Sequence, residues 1–231
     1  MGSLAITPPP HYIKAWGIDQ LLQRYPRLRS VAKHAKEVIA FEGKLDIYAV
    51  KPGHTEVTDS FELRIEIPYQ FPDYVPTVYP LGSRLPADFH RLEDGALCLG
   101  SPTRQLMYLS KNPSVLGFVN EFVVPYLYGY SLLEKGEQLP FGELAHGRRG
   151  LIADFCDIFG VSEERVAREL VYLTSRPKRK ANHRLCPCGS GVRLSRCKVH
   201  HAMVHQLRCS LGRRWFRYQH KLITGGTRKS V

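Results

Sequence analysis

Four prolines fall within 13 residues, at Pro68, Pro72, Pro76 and Pro80. That spacing forbids a helix or a central strand over the stretch. Yet the residues between them include Tyr69, Phe71, Tyr74, Val75 and Val78, which call for burial. An extended segment pinned against a core meets both demands. Immediately upstream, Phe61-Glu62-Leu63-Arg64-Ile65-Glu66-Ile67 alternates strictly. As a strand it puts four apolar side chains on one face and two Glu and an Arg on the other. Leu45-Asp46-Ile47-Tyr48-Ala49-Val50 is a second strand signal. The turn chemistry of Lys51-Pro52-Gly53-His54 between the two predicts an antiparallel meander.

The helices come mostly later. A short one is expected around Ile18 to Arg24, after a lead containing Pro8-Pro9-Pro10. Val115, Phe118, Val119 and Phe122 stand at i, i+3, i+4 and i+7, predicting a helix over 113–124 with Pro113 in its first turn. Pro125 should end or kink it. Leu151 to Phe159 is a further apolar helix. Ser162 should cap another, with Glu163 and Glu164 in its first turn and Arg176-Pro177 stopping it. Strands first and helices after predict an α+β fold, and the chain has no internal repeat.

Charge divides the chain. Of 33 Lys and Arg, 15 lie in residues 176–231, and none of the 21 Asp and Glu does. Residues 1–175 are therefore expected to form a mildly acidic body, and 176–231 a separate basic tail. No apolar run approaches the roughly 18 residues of a membrane span, and MGSLAITPPP lacks a charged region followed by an apolar one. A cytoplasmic protein without membrane association is the expectation. Three of the six cysteines lie between 186 and 197, a pattern suited to a metal site in a reducing compartment rather than to disulfides.

Those three belong to Cys186-Pro187-Cys188-Gly189-Ser190-Gly191, followed by Cys197 and His200-His201. A zinc ion takes four thiolate or imidazole ligands in a tetrahedron, and three Cys with one His is a common structural set. The stretch, about 16 residues long, resembles the SEC-C zinc motif. That motif places its fourth ligand directly after the third Cys, where this chain has Lys198. His200 is the first substitute and His201 the second. The resemblance implies a structural zinc ion in a small basic tail.

Cys98 lies in His90-Arg91-Leu92-Glu93-Asp94-Gly95-Ala96-Leu97-Cys98-Leu99-Gly100. A thiolate is a good nucleophile, and a thioester splits acyl transfer into two easier steps. Taken alone, a Cys between two Leu is simply a small buried hydrophobe. The order of features changes that weighting: strand meander, Pro-aromatic segment, His90, Gly95-Ala96-Leu97-Cys98-Leu99, then a helix. Over residues 40–130 this order resembles the ubiquitin-conjugating enzymes. The resemblance implies a UBC-like antiparallel meander with flanking helices, Cys98 as thioester carrier, and His90 as its companion. Where that family has His-Pro-Asn this chain has His90-Arg91-Leu92. Either His90 or a backbone N–H takes the oxyanion role of the Asn, or the reaction is slower or different. Glu93 and Asp94 are groups that would orient an incoming lysine.

Among such enzymes the chain is most similar to bacterial relatives encoded in anti-phage defence operons. That similarity implies a protein substrate, the C-terminus of a cyclic-oligonucleotide synthase, transferred from Cys98 to an amine. No glycine-rich nucleotide loop follows a strand here, so the resemblance implies either a separate activating enzyme or an unusual activation route. Two other readings stand beside it. One is an inactive scaffold of the same fold. The other is nucleic-acid binding through the tail, where Arg213-Arg214-Trp215-Phe216-Arg217-Tyr218-Gln219-His220-Lys221 interleaves cations with aromatics. Against the latter, a tail helix would lay Trp215, Phe216 and Tyr218 on the body and leave the Arg residues wet. Cys156 is expected in a helix core, and Cys209 has no assignment.

Overall fold

The structure, a computed structural model, describes residues 14–31, 37–140 and 147–225. The proline triplet at 8–10 lies outside them. The chain is α+β and forms two compact units, Met1–Glu143 and Leu144–Val231.

In the first unit α1 (Ile18–Arg24) precedes strands β1 (Leu28–Val31), β2 (Val38–Ala49), β3 (Val57–Pro68) and β4 (Thr77–Pro80). They form one sheet in the order β1-β2-β3-β4, every neighbour antiparallel. The turn between β2 and β3 closes with His54 N–H donating to the Lys51 carbonyl at 3.0 Å. Gly43 pairs with Leu28 at the β1 edge. A Cβ there would sit 2.1 Å from the Arg27 carbonyl oxygen, so the two strands approach this closely only because the residue is glycine.

Phe61, Leu63, Ile65 and Ile67 on β3 are all buried, as the alternation predicts. The opposite face carries the two Glu and the Arg, and one of the acids is not solvated. Glu66 is buried, takes an ion pair from Arg64 at 3.0 Å, and Arg64 lies over the Tyr79 ring of β4. The proline-rich stretch is part turn, part sheet. Residues 69–74 fold back in tight turns, and Thr77–Pro80 makes a short edge strand on β3. An edge tolerates Pro80 because one side of its backbone needs no partner.

Helix α2 (Pro102–Leu109) follows the Cys98 loop, and the sequence reading did not foresee it. The predicted helix at 113–124 is longer and differently built. Ser114, not Pro113, stands at its start and accepts from Gly117 N–H. It runs as α3 (Val115–Phe118), a π-turn at Val119–Val123 and α4 (Val124–Glu134). Pro125 does not end it, and the backbone keeps right-handed helical angles at Val123 and Val124 just before it. A proline lacks the N–H and crowds the carbonyl four residues back, and the wide turn just before it relieves both demands.

Arg84 bridges β3 and α4, pairing with Asp59 and with Glu134, each at 2.6 Å. Ser131 also donates to Asp59, at 2.7 Å. Burial works against the Asp59 charge, but the hydrogen bonds from Arg84, Ser131 and the Ser60 N–H outweigh it and hold the carboxyl down to about 2. A folded pKa below the unfolded one contributes stability that is fully present above about pH 4 and is lost as pH falls towards 2. Arg84→Met should therefore cost on the order of 1–2 kcal/mol at neutral pH and flatten this part of the acid-unfolding limb. Urea titrations at pH 6 and pH 3 check it. An equal loss at both values would assign the cost to packing instead.

The second unit contains α5 (Gly147–Phe159), α6 (Glu164–Ser175), the short α7 (Lys178–Asn182), a 3-10 turn at Leu194–Arg196, and α8 (His200–Thr224). Glu163, rather than Ser162, stands before α6. The unit begins well upstream of the charge change at Arg176. The reason is packing: Phe155 lies 6.5 Å from Phe216, and Arg208 of α8 donates to the Thr174 carbonyl of α6 at 2.9 Å. Charge marks a change of surface here, not a boundary of the core. Cys156 is half-buried rather than core, and Cys209 is exposed. At Gly212 α8 is broken by non-helical angles (φ 72°, ψ 160°).

Candidate functional site

Two constellations carry chemistry, one in each unit. In the second, α7 ends at Asn182, and the backbone then forms a small knuckle. Cys186 N–H donates to the Val192 carbonyl at 2.8 Å, and Leu185 faces Arg193 across an antiparallel bridge. This brings Cys186 and Cys188 to one side, and the 3-10 turn delivers Cys197 beside them. His200, the first residue of α8, completes the group.

The ligand atoms of Cys186, Cys188, Cys197 and His200 all lie within 4.8 Å of one another. His200 Nδ1 is 3.4 Å from Cys186 Sγ and 3.6 Å from Cys197 Sγ, and Cys188 Sγ is 3.9 Å from Cys197 Sγ. The group is positioned to hold a metal ion. Of the two adjacent histidines, the structure brings in His200, which is buried, and leaves His201 out. Lys198, in the position directly after Cys197, is exposed.

The surroundings tune the donors. Nε2 of His200 lies 3.2 Å from the Phe159 carbonyl, at the end of α5. As an N–H donor there it leaves Nδ1 free for coordination, the usual way a protein fixes the tautomer of a ligating imidazole. The backbone N–H of His200 donates to Cys197 Sγ at 3.4 Å. Burial pushes the Cys186 thiol up to about 12. The Ser190 hydroxyl, 3.2 Å from Cys188 Sγ, holds that thiol down to about 6. Neither Phe159 nor Ser190 was recognised from the sequence. Ser190 stands inside the motif, but nothing local to Phe159 marks its carbonyl.

In the first unit the Cys98 loop is a pinned hairpin. Arg91 and Leu97 form an antiparallel bridge, Leu92 N–H donates to Ala96 O at 2.8 Å, and Asp94 Oδ1 accepts from Ala96 N–H at 3.1 Å. Leu97 N–H donates to the Val78 carbonyl at 2.8 Å, docking the hairpin on β4. Arg91 is spent on the Leu85, Pro86 and Gly95 carbonyls. Asp94 is thus a loop builder, while Glu93 is exposed. Ala96 and Leu97 are buried, and Cys98 right after them is only partly so. On the far side, Gln105 of α2 donates to the Leu99 and Gly100 carbonyls at 3.1 and 3.2 Å.

His90 and Cys98 meet through their backbones: Cys98 N–H donates to the His90 carbonyl at 2.7 Å. His90 has φ 41°, the one positive value among described non-glycine residues. Such a conformation costs on the order of 1–2 kcal/mol. Its ring packs edge-on to Phe89, 4.9 Å between centroids.

Tyr126 of α4 is a further residue that the sequence does not single out. Its hydroxyl donates to the Phe89 carbonyl at 2.8 Å, and its ring packs on Phe89 at 5.3 Å. Burial, above all, raises its pKa, with Arg91 working against the rise and Cys98 and Tyr130 adding to it. Tyr126 therefore positions the Phe89-His90 turn beside the thiol. Tyr126→Phe should hasten alkylation of Cys98 by a small maleimide by about threefold to tenfold while folding is retained, because the turn beside the partly open thiol loses its anchor. Cys209 serves as the internal reference. Identical Cys98 rates in both proteins would remove Tyr126 from the site.

No protein-family model matches the chain, and comparison with curated proteins and with solved structures finds no match.

Proposed function

We propose that the first unit is a ubiquitin-conjugating-enzyme-like acyl carrier with Cys98 as its nucleophile, and that the second is a basic module stapled by a structural zinc ion. The observation that carries the first part is the setting of Cys98. A core cysteine would be sealed like Ala96 and Leu97, whereas this thiol stands partly open on a hairpin locked to the edge strand of an antiparallel meander. The order of helix, four-stranded meander, thiol loop and helix supports the same reading.

In the proposed cycle the Cys98 thiolate attacks the carbonyl of an activated protein C-terminus. The C–S bond forms, and the activating group leaves with its electron pair. An amine then attacks the thioester, the C–N bond forms, the C–S pair returns to sulfur, and the amine proton passes to solvent. Each step develops an oxyanion that needs a donor. The Cys98 amide is already committed to His90 O, so the role falls to the His90 imidazole or to amides beyond Cys98. The acylated partner is a cyclic-oligonucleotide synthase, and a separate enzyme activates its C-terminus.

Zinc fits the other site on two grounds. Zn–S near 2.3 Å and Zn–N near 2.0–2.1 Å give tetrahedral edges of about 3.5–3.8 Å, against the 3.4, 3.6 and 3.9 Å found. Three thiolates and one imidazole also form a soft, closed donor set that leaves no position for a substrate. Bound zinc would hold the knuckle closed, and its chemistry would be structural.

The test is intact-mass analysis of the chain after incubation with the synthase and its activating enzyme. An adduct equal to the partner less one water, released by thiol reductant, is expected. A stable complex with no covalent adduct would replace the carrier with an inactive scaffold.

A further inference from the structure

Beyond Gly212 the sequence Arg213-Arg214-Trp215-Phe216-Arg217-Tyr218 continues as the last part of α8. At 3.6 residues per turn, Arg213, Arg214, Arg217, Tyr218 and Lys221 share an arc of about 140°, and all five are exposed. Phe216, Gln219 and Ile223 occupy the opposite face and are buried. Phe216 is therefore core and leaves the motif, which keeps Tyr218, half exposed at 50%, and the partly buried Trp215, 6.0 Å from it.

Glu169 of α6 acts on His220, next to Lys221, but none of the arc's four cations is held in an ion pair among the described residues. Among the described residues, no ion pair engages any Lys or Arg after Arg168. The unit's five acids, Asp154, Asp157, Glu163, Glu164 and Glu169, lie on α5 and α6 or directly before α6. Arg208, one turn before the kink, has its charge disfavoured by burial and further by Arg213. Keeping four like charges on one helical surface works against folding unless a polyanion neutralises them. A row of cations beside one exposed aromatic ring, Tyr218, matches one polyanion in particular, a strand whose phosphates meet the Arg residues while a base stacks on that ring.

We propose that the last part of α8 is a binding surface for single-stranded nucleic acid, with Arg213, Arg214, Arg217 and Lys221 on the backbone and Tyr218 under a base. This is independent of any chemistry at Cys98.

The experiment uses the full metal-loaded chain and a fluorescein-labelled 20-nucleotide oligonucleotide, read by anisotropy across a salt series. Log affinity should fall with log salt at a slope of up to about −3, since four phosphates at roughly −0.7 each are neutralised. R213Q/R214Q/R217Q/K221Q should bind at least about tenfold more weakly with a flatter slope, its metal content and helicity unchanged. Tyr218→Ala should lose about tenfold while keeping the slope, because it removes stacking and no charge. Undiminished binding by the fourfold variant would overturn the proposal. So would polyglutamate competing as well as unlabelled oligonucleotide, which would point to an acidic protein. Tighter binding of a duplex with Tyr218→Ala silent would overturn the single-strand assignment.

Discussion

Replacing Cys98 by Ser should trap the acyl partner. An oxyester forms in place of the thioester, survives thiol reductant, yields to hydroxide, and is handed on to an amine far more slowly. The complex should therefore accumulate where wild-type protein turns over. Cys98→Ala should give no adduct at all, because the nucleophile itself is gone. The hairpin around residue 98 is held by backbone bonds, by Arg91 and by Asp94, so neither change disturbs its geometry. Cys156→Ser and Cys209→Ser serve as controls and should leave adduct formation intact. Intact mass before and after thiol treatment reads all of these outcomes. An adduct of unchanged yield on the Ala variant would remove Cys98 from the chemistry.

The second large effect concerns the metal. Purified protein should carry about one zinc per chain, and Cys186→Ser or His200→Ala should carry almost none. Structural zinc contributes apparent free energies of about 10–16 kcal/mol in small metal-folded domains, comparable with the whole stability of an ordinary domain. The knuckle from 183 to 199 has little else inside it beyond Leu194, so it should open. Strong chelators should reproduce the change in wild-type protein. The first unit has its own core and should melt as before. His201→Ala is the discriminating control and should keep its metal. Full zinc occupancy in Cys186→Ser, or loss in His201→Ala with retention in His200→Ala, would overturn the ligand assignment.

The sequence carried the meander because Phe61 to Ile67 alternates without a break, and a period of two has one structural meaning. It carried much less of β1 and β4. Leu28-Arg29-Ser30-Val31 is too short to show a period, and in β4 the flanking prolines mask four residues whose pairing is set by β3. Helix α2 did announce itself, through Ser101 followed by Pro102 at the first helical position, but its apolar residues do not stand out over eight positions. Three metal ligands were plain from spacing. The fourth was not, because adjacent histidines differ only in where the helix begins. With α8 starting at His200, successive side chains point about 100° apart, and one of the pair faces the thiols. The positive φ of His90 and the reach of Tyr126 to Phe89 are tertiary facts. No local pattern encodes either.

The hydrogen bond between His200 and Phe159 bears on how such a site can evolve. A cysteine at position 200 would offer the ion an equally good donor, so by coordination alone the two residues are interchangeable. They are not interchangeable as neighbours. The imidazole has two ends, one for the ion and one for a carbonyl at the C-terminal end of α5, where backbone oxygens have no helical partner. A thiolate has one. Exchange at this position would preserve the metal and orphan the helix end, at a cost of about 1–3 kcal/mol. The choice of histidine is thus constrained by a residue 41 positions away, and drift at position 200 should be coupled to the way α5 ends.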